Sequence, residues 1–164
     1  MNTLTELASE VSAALKKRGE TLAVCESSVG GLISAALVAI PGASSYFLGG
    51  ATIYTLESRK QLLGMDEAML KGIRPATEEY ALLCARTIQK KLGSTWALAE
   101  TGATGPTTNP YMDPPGTACF AVTGPLEKCM KISTGSNHRE NNMWDFARQA
   151  LDFLNGNIAT SKLP

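Results

Sequence analysis

The chain has 164 residues, a formal net charge of zero from 15 basic and 15 acidic residues, and a hydrophobic fraction of 44%. This length suits one domain that buries its own core, and the basic residues are spread along the chain rather than clustered. The composition therefore predicts a single domain over residues 1–164. It excludes a broad basic surface for nucleic acid or an acidic membrane and favours a small-molecule partner.

Features of the sequence also predict the compartment. The first residues lack the basic start and apolar run of a secretory signal, and no apolar stretch reaches membrane-spanning length. The four cysteines contain no C-x-x-C pair, and a reducing compartment would keep them as thiols. We therefore expect a cytoplasmic protein. Cys25 adjoins a polar turn and is the one cysteine considered for chemistry, although a small core residue is the commoner role.

The spacing of apolar residues predicts five helices and five strands. Thr3 and Glu6 form a capping-box pattern that starts the first helix, and Gly19 ends it. The remaining predicted elements are, in chain order, a strand 21–25, a helix 32–40, a strand 51–54, a short helix 56–63, a helix 77–92, a strand 96–99, a hairpin of strands 117–122 and 128–133, and a helix 140–154. Residues 155–164 are predicted to be a frayed tail. This order of elements indicates a layered α/β domain with a mixed sheet.

The most informative segment is the polar turn after the first strand, Cys25-Glu26-Ser27-Ser28-Val29-Gly30-Gly31. A strand that enters a helix through such a turn leaves the first helical N–H groups unpaired, at the positive end of the helix dipole. The turn is therefore predicted to bind an anion or to hold an oxyanion beside the hydroxyls of Ser27 and Ser28. An ordinary helix N-cap is the alternative, and the spacing alone does not separate the two.

A second polar turn, over residues 100–106, follows the strand at 96–99. Two such turns at the carboxyl ends of strands in one α/β sheet commonly meet at a shared crevice. The glycines of the second turn let its backbone approach a ligand closely. A surface loop shaped by glycine and proline is the alternative, but the length of the segment 101–116 favours a functional loop.

Several ordered motifs resemble the C-terminal domain of the CinA family and its stand-alone relatives, the nicotinamide-nucleotide amidases. The family's A-E-S-C-T-G-G hallmark is similar to the first turn, in which the E-S pair and both glycines match. Further similar segments are I-P-G-A-S-S-Y-F at 40–47, T-I-Y at 52–54 with L-L-G at 62–64, T-G-A-T-G-P at 101–106 and P-G-T at 115–117. The resemblance covers nearly the whole chain and implies a three-layer α/β/α sandwich.

Members of that family hydrolyse the carboxamide of nicotinamide mononucleotide to nicotinic acid mononucleotide and ammonia by a serine–lysine mechanism. The resemblance implies a homo-oligomer with no metal or organic cofactor. It implies Ser27 as the nucleophile and Tyr54 as its active-site neighbour. The substrate-binding residues expected in the substrate pocket are Glu26, Ser28, Gly30, Gly31, Thr101, Gly102, Thr104 and Gly105. Arg139, beside His138, is a further candidate, because arginine suits the geometry of a bound phosphate.

One departure from the family pattern bears on the mechanism. The family's lysine falls at Arg59, and Lys60 follows one position later. Because arginine keeps its proton in proteins, Arg59 can bind phosphate or stabilise negative charge but cannot activate a serine as an ordinary general base. Lys60, through a local register shift, and His138, if its loop folds over the site, are the alternative bases; a solvated surface position is the commoner role for such a histidine.

Two hypotheses from different classes therefore stay open. The first is a CinA-like amidase that is weakened by Arg59. The second is a catalytically degenerate paralogue that binds a nucleotide or another anion. Hydrolysis of a different amide or ester is a third possibility, because the shape of the pocket is not visible in the sequence.

Overall fold

A computed structural model describes residues 2–161. The predicted order of helices and strands is confirmed. The elements are α1 Leu4–Arg18, β1 Leu22–Glu26, α2 Leu32–Val38, a 3₁₀ turn Ala43–Ser45, β2 Phe47–Thr52, α3 Leu56–Ser58 continuing into a π-helical turn Arg59–Leu63, α4 Glu78–Leu92, β3 Trp96–Ala103, β4 Thr117–Thr123, β5 Lys128–Ser133 and α5 Arg139–Thr160. The capping box of α1 forms as predicted, and Gly19 ends that helix in the left-handed conformation.

The five strands form one mixed sheet in the order β2-β1-β3-β4-β5. The strand β1 lies between β2 and β3 and is parallel to both, while β3, β4 and β5 are antiparallel neighbours. The carboxyl ends of β1 and β3 are therefore adjacent, as the sequence predicts for the two polar turns.

The helices cover both faces of the sheet, which confirms the α/β/α sandwich. Alternate residues of β1 show the two faces: Leu22 and Val24 belong to the core beneath α1, α2 and α5, whereas Ala23 and Cys25 belong to the core beneath α4. The face beneath α4 carries small side chains, including alanines of β3 and β4.

The strand β3 is longer than the sequence predicts. Its last three residues, 101–103, belong to the strand and pair with β4, so the expected loop 101–116 starts later than predicted. A Cβ atom on Gly102 would lie 2.5 Å from the carbonyl oxygen of Thr117. The glycine therefore permits close pairing of two strands, and its predicted close approach to a ligand stays a prediction.

The predicted frayed tail is wrong for residues 155–160, because α5 continues to Thr160. Ile158 is buried in the main core, and the guanidinium of Arg18 donates hydrogen bonds to the carbonyls of Ile158 and Ser161 at 3.3 Å. Apolar packing and capping of the last carbonyls hold the final turns in place. Residues 162–164 of the predicted tail lie outside the described residues.

Residues 2–161 contain neither a membrane-spanning helix nor a cluster of metal-ligating side chains. No helix there combines the length and the apolar character needed to cross a membrane. No group of three or more histidine, cysteine, aspartate or glutamate side chains in that range is placed to hold a metal ion.

Candidate functional site

The turn after β1 is capped by the protein's own carboxylates. The Glu26 side chain is 1% exposed and accepts the backbone N–H groups of Gly31 and Ile33 at 3.0 Å and of Ser34 at 2.8 Å. The prediction that the first N–H groups of this helix are unpaired is therefore wrong. A carboxylate already occupies the position proposed for an external anion, and Glu26 lies beneath the turn rather than facing a substrate.

Glu100, inside β3, also accepts hydrogen bonds from this turn. Its side chain is 2% exposed and accepts the N–H groups of Ser27 at 3.0 Å and Val29 at 3.2 Å, together with the hydroxyl of Ser28. Burial, with a smaller contribution from the nearby Glu26 carboxylate, outweighs the hydrogen bonds from the turn and raises the pKa of Glu100 to about 7. Sequence reasoning missed this residue as a functional one, although a single glutamate directly after an apolar predicted strand was a usable signal.

The two serines of the turn face different surroundings. Ser27 is partly buried and lines a cavity, while Ser28 is 6% exposed and its hydroxyl is bound to Glu100. The N–H of Ser28 has no acceptor within residues 2–161, so it is a free donor of this turn.

The two glycines of the turn have a conformational role. Gly30 and Gly31 have φ angles of +66° and +105°, which are unfavourable for other residues. Neither belongs to the lining of the two cavities described next. Their predicted contact with substrate remains a prediction that this geometry does not support.

The first cavity lies at the carboxyl ends of β1 and β3 and has a volume of about 460 Å³. We call it the Arg59 cavity. Its lining includes Ser27, Ile53, Tyr54, Leu56, Arg59, Tyr80, Thr101, Gly102, Asn109 and Tyr111. Three tyrosines and two aliphatic side chains give it an apolar and aromatic wall, and the Ser27 and Thr101 side chains add hydroxyl groups.

Arg59 projects into this cavity from the π-helical turn, a helix type often found at functional sites. Its guanidinium carbon lies 5.9 Å from the centroid of the Tyr80 ring. Its Nε is buried without a hydrogen-bond partner, and in the part of the chain that the structure describes no carboxylate oxygen lies within 4.0 Å of it. Lys60, the next residue, is exposed and lines neither cavity.

A second cavity, of about 170 Å³, adjoins the first, and we call it the Arg139 cavity. Its lining includes Ser28, Tyr54, Gly102, Thr104, Gly105, Asn109, Pro110 and Arg139. The guanidinium of Arg139 donates to the carbonyl of Gly105 at 2.7 Å and to the hydroxyl of Tyr54 at 2.9 Å. The two cavities share Tyr54, Gly102, Asn109 and Pro110, so one ligand can extend from the first into the second.

A buried asparagine that sequence reasoning missed supports the second cavity. Asn142 of α5 is fully buried, and its amide donates to the carbonyls of Thr104 at 2.9 Å and Ser136 at 2.8 Å. Its side-chain oxygen accepts the Thr134 hydroxyl at 2.7 Å. The signal in the sequence was only a polar residue on the apolar face of a helix, which does not identify its partners.

The structure separates two further candidates from the site. His138 is exposed at the N-cap of α5, where its Nδ1 accepts the N–H of Asn141 at 3.3 Å, and it lines neither cavity. Cys25 is fully buried in the core beneath α4. Hydrogen bonding with the Cys84 thiol and burial raise the pKa of Cys25, so it remains a thiol without access to ligand.

Comparison with known proteins identifies the family of this chain. The model of the CinA C-terminal domain matches residues 4–158. The chain belongs to the CinA C-terminal domain family. A CinA-like protein of Gloeobacter violaceus is 36% identical over 154 residues, covering 93% of this chain and 36% of the relative. A CinA-like protein of Synechocystis is 34% identical over 158 residues, covering 94% and 38%. This CinA domain thus spans little more than a third of these curated relatives.

Solved structures of the CinA superfamily share the fold over nearly the whole chain. The competence damage-inducible protein A (ComA) of Klebsiella pneumoniae superposes with a TM-score of 0.91 at 25% identity, covering 98% of this chain and 100% of the other. The competence/damage inducible protein CihA of Agrobacterium tumefaciens has a TM-score of 0.87 at 24% identity and covers 98% of each chain. The second likeness concerns the fold alone.

Proposed function

We propose that this CinA domain hydrolyses the carboxamide of a pyridine mononucleotide, and that it does so slowly. The observation that carries the proposal is the position of Ser27, which lies at the junction of β1 with the turn and lines the Arg59 cavity. Tyr54 and Thr101 line the same cavity. These are positions to which the family resemblance assigns the nucleophile, its neighbour and the substrate pocket.

The reaction follows the chemistry of a serine nucleophile. The Ser27 Oγ attacks the carboxamide carbon and the carbonyl becomes an oxyanion, while the Ser27 proton passes through water to the amide nitrogen, which can then leave as ammonia. Collapse of this intermediate expels ammonia and leaves an ester on Ser27, which water then hydrolyses to the acid and the free hydroxyl. The free N–H of Ser28 and the cation of Arg59 are the groups available to stabilise the oxyanion.

The weak point of this site is the base. Arg59 keeps its proton, and Lys60 and His138 line neither cavity. Glu100 has a pKa suited to proton exchange near neutral pH, but its three acceptor bonds engage two N–H groups and the Ser28 hydroxyl rather than the Ser27 hydroxyl. Slow turnover is the consequence.

Among residues 2–161 no lysine lines the Arg59 cavity, which favours a second candidate, binding of the same nucleotide without turnover. In that case the pocket and Arg59 bind the nucleotide, but no group removes the proton from the Ser27 hydroxyl.

The test is ammonia release from nicotinamide mononucleotide by the wild-type protein, by Ser27→Ala and by Ser44→Ala. Ser44 is an exposed serine of the 3₁₀ turn and serves as the matched control. We expect slow release by the wild type and the control and none by Ser27→Ala. Release that survives in Ser27→Ala would overturn the nucleophile assignment, and binding without any release by the wild type would favour the second candidate.

A further inference from the structure

Among residues 2–161, Arg59 and Arg139 are the arginines without an ion pair, and Arg139 instead donates hydrogen bonds to the Gly105 carbonyl and the Tyr54 hydroxyl. Arg74 and Arg86 each form an ion pair, with Asp113 and Glu127 respectively, although both are substantially exposed. Arg59 is partly buried and, within residues 2–161, has no carboxylate within 4.0 Å. Its contact with Tyr80 does not neutralise it, because burial raises the pKa of that phenol and keeps it uncharged.

A cation in such a position lacks full hydration, and its contact with the neutral Tyr80 side chain does not supply a negative charge. An anionic ligand group would supply that charge, and the guanidinium fork matches a carboxylate or a phosphate with two parallel hydrogen bonds. The buried Nε of Arg59 is a donor that already lacks an acceptor. A neutral carboxamide can accept such a bond but brings no charge, so it compensates Arg59 less well.

The surroundings of Arg59 select the kind of molecule that carries the anion. Tyr54, Tyr80 and Tyr111 line the cavity, whose volume of about 460 Å³ accommodates a planar ring. A second cation, Arg139, lines the adjoining cavity. A ligand that reaches both cavities can therefore place one anionic group at each arginine.

We propose that Arg59 makes this pocket selective for a planar aromatic carboxylate over the matching carboxamide, with a second anionic group of the same ligand bound at Arg139. The inference rests on the proposed function for the choice of a pyridine mononucleotide as probe, but it does not require turnover. The preferred ligand is thus the deamidated form, the product rather than the substrate of the proposed reaction.

The experiment is calorimetric titration with nicotinic acid mononucleotide and with nicotinamide mononucleotide. It uses Ser27→Ala protein, so that turnover cannot change the ligand during the titration. Since a charged hydrogen-bonded pair contributes more than a neutral one, we expect the acid to bind at least about ten-fold more tightly. Arg59→Met in this background should bring the two affinities to within about two-fold, while Arg59→Lys should keep part of the preference.

Control variants and fragments of the ligand show which arginine binds each anionic group. Arg139→Gln should weaken both mononucleotides by similar factors, and Arg86→Gln, at an exposed ion pair, should change neither. Free nicotinate should bind more tightly than free nicotinamide, whereas ribose 5-phosphate affinity should depend on Arg139 and not on Arg59. Melting temperatures of all variants establish that they fold.

Three results would overturn the proposal. They are equal or tighter binding of the amide, an acid preference that persists in Arg59→Met, and a loss of ribose 5-phosphate binding in Arg59→Met, which would assign the phosphate to Arg59. None of these depends on ammonia release. Failure of the hydrolysis test and failure of this inference are therefore distinguishable.

Discussion

The turn after β1 and the helical segment after β2 meet at one cavity but treat charge in opposite ways. In the turn, Glu26 and Glu100 are buried, and their oxygens accept backbone N–H groups and serine hydroxyls of the same domain. In the segment after β2, Arg59 has no carboxylate partner among the described residues. The charges of the turn thus maintain the fold, whereas the charge of Arg59 is available to a ligand.

The largest expected effect is on the rate of hydrolysis. Arg59→Lys should raise ammonia release from nicotinamide mononucleotide, because a lysine whose pKa is lowered can take the serine proton and an arginine cannot. General acid–base assistance typically contributes about 10²–10⁴-fold, so even partial recovery is measurable. The control is Lys60→Ala, which removes an exposed lysine and should leave the rate unchanged. Wild-type turnover that is lost in Lys60→Ala but unaffected at Arg59 would mean that the base lies one residue later.

The next effect concerns the carboxylates of the turn. Glu100→Ala leaves three donors without their acceptor, namely the N–H groups of Ser27 and Val29 and the Ser28 hydroxyl. Since each buried unsatisfied group costs about 1–3 kcal/mol, the free energy of unfolding should fall by at least about 3 kcal/mol. Glu100→Gln is the matched variant, because its amide oxygen can accept both N–H groups and its NH₂ can donate to Ser28. Urea unfolding that shows an equal loss in both variants would contradict this assignment.

The pKa of Glu100 predicts a pH dependence of stability. A carboxyl whose folded pKa is raised from 4.5 to about 7 binds more protons in the folded state between these values. Its contribution is therefore fully present below pH 4.5 and is lost as pH rises through about 7, with a total of up to about 3 kcal/mol. Glu20 and Asp113 have lowered pKa values and act in the opposite direction.

The difference between wild type and Glu100→Gln isolates the contribution of Glu100, because the other groups titrate in both proteins. Urea unfolding at several pH values from 4 to 8 should show that the wild type loses stability relative to Glu100→Gln as pH rises. A difference that stays constant over this range would show that the pKa of Glu100 is the same in the folded and unfolded states, and so would contradict the raised value.

The smallest expected effect is on the stability of the ligand-free protein. Arg59→Met removes an uncompensated cation while keeping an apolar stem against Tyr80, so the free energy of unfolding should rise by up to about 1 kcal/mol. Arg86→Met breaks an exposed ion pair with Glu127 and should lower it by about 0.2–1 kcal/mol. A lower melting temperature for Arg59→Met than for Arg86→Met would indicate that the Arg59 charge is compensated within the protein.

Local signals in the sequence were sufficient for most of the fold. The Thr3 capping box and the glycine that ends α1 are short-range patterns, and each forms as predicted. The adjacency of the two polar turns followed from the rule that parallel strands align their carboxyl ends. These features depend on residues close together in the chain or on a general rule of topology.

The partners of the buried carboxylates were beyond sequence reasoning. Glu100 reaches Val29 from 71 residues away, so its contact depends on the register between β1 and β3. Glu26 was predicted to bind substrate, but its side chain turns back onto the N-terminus of α2. Whether a helix N-terminus is free or capped depends on the direction of such a side chain, and the motif itself does not specify that direction.

The hydrogen bonds of Asn142 have a consequence for the entropy of binding. The Asn142 amide bonds to the carbonyls of Thr104 and Ser136 and to the hydroxyl of Thr134, so it joins the residue that follows β3, which lines the Arg139 cavity, to the connection between β5 and α5 before a ligand arrives. The conformational freedom of these segments is lost during folding rather than during association. A ligand of the Arg139 cavity therefore meets a preorganised wall, and less of its interaction energy is consumed in ordering the protein.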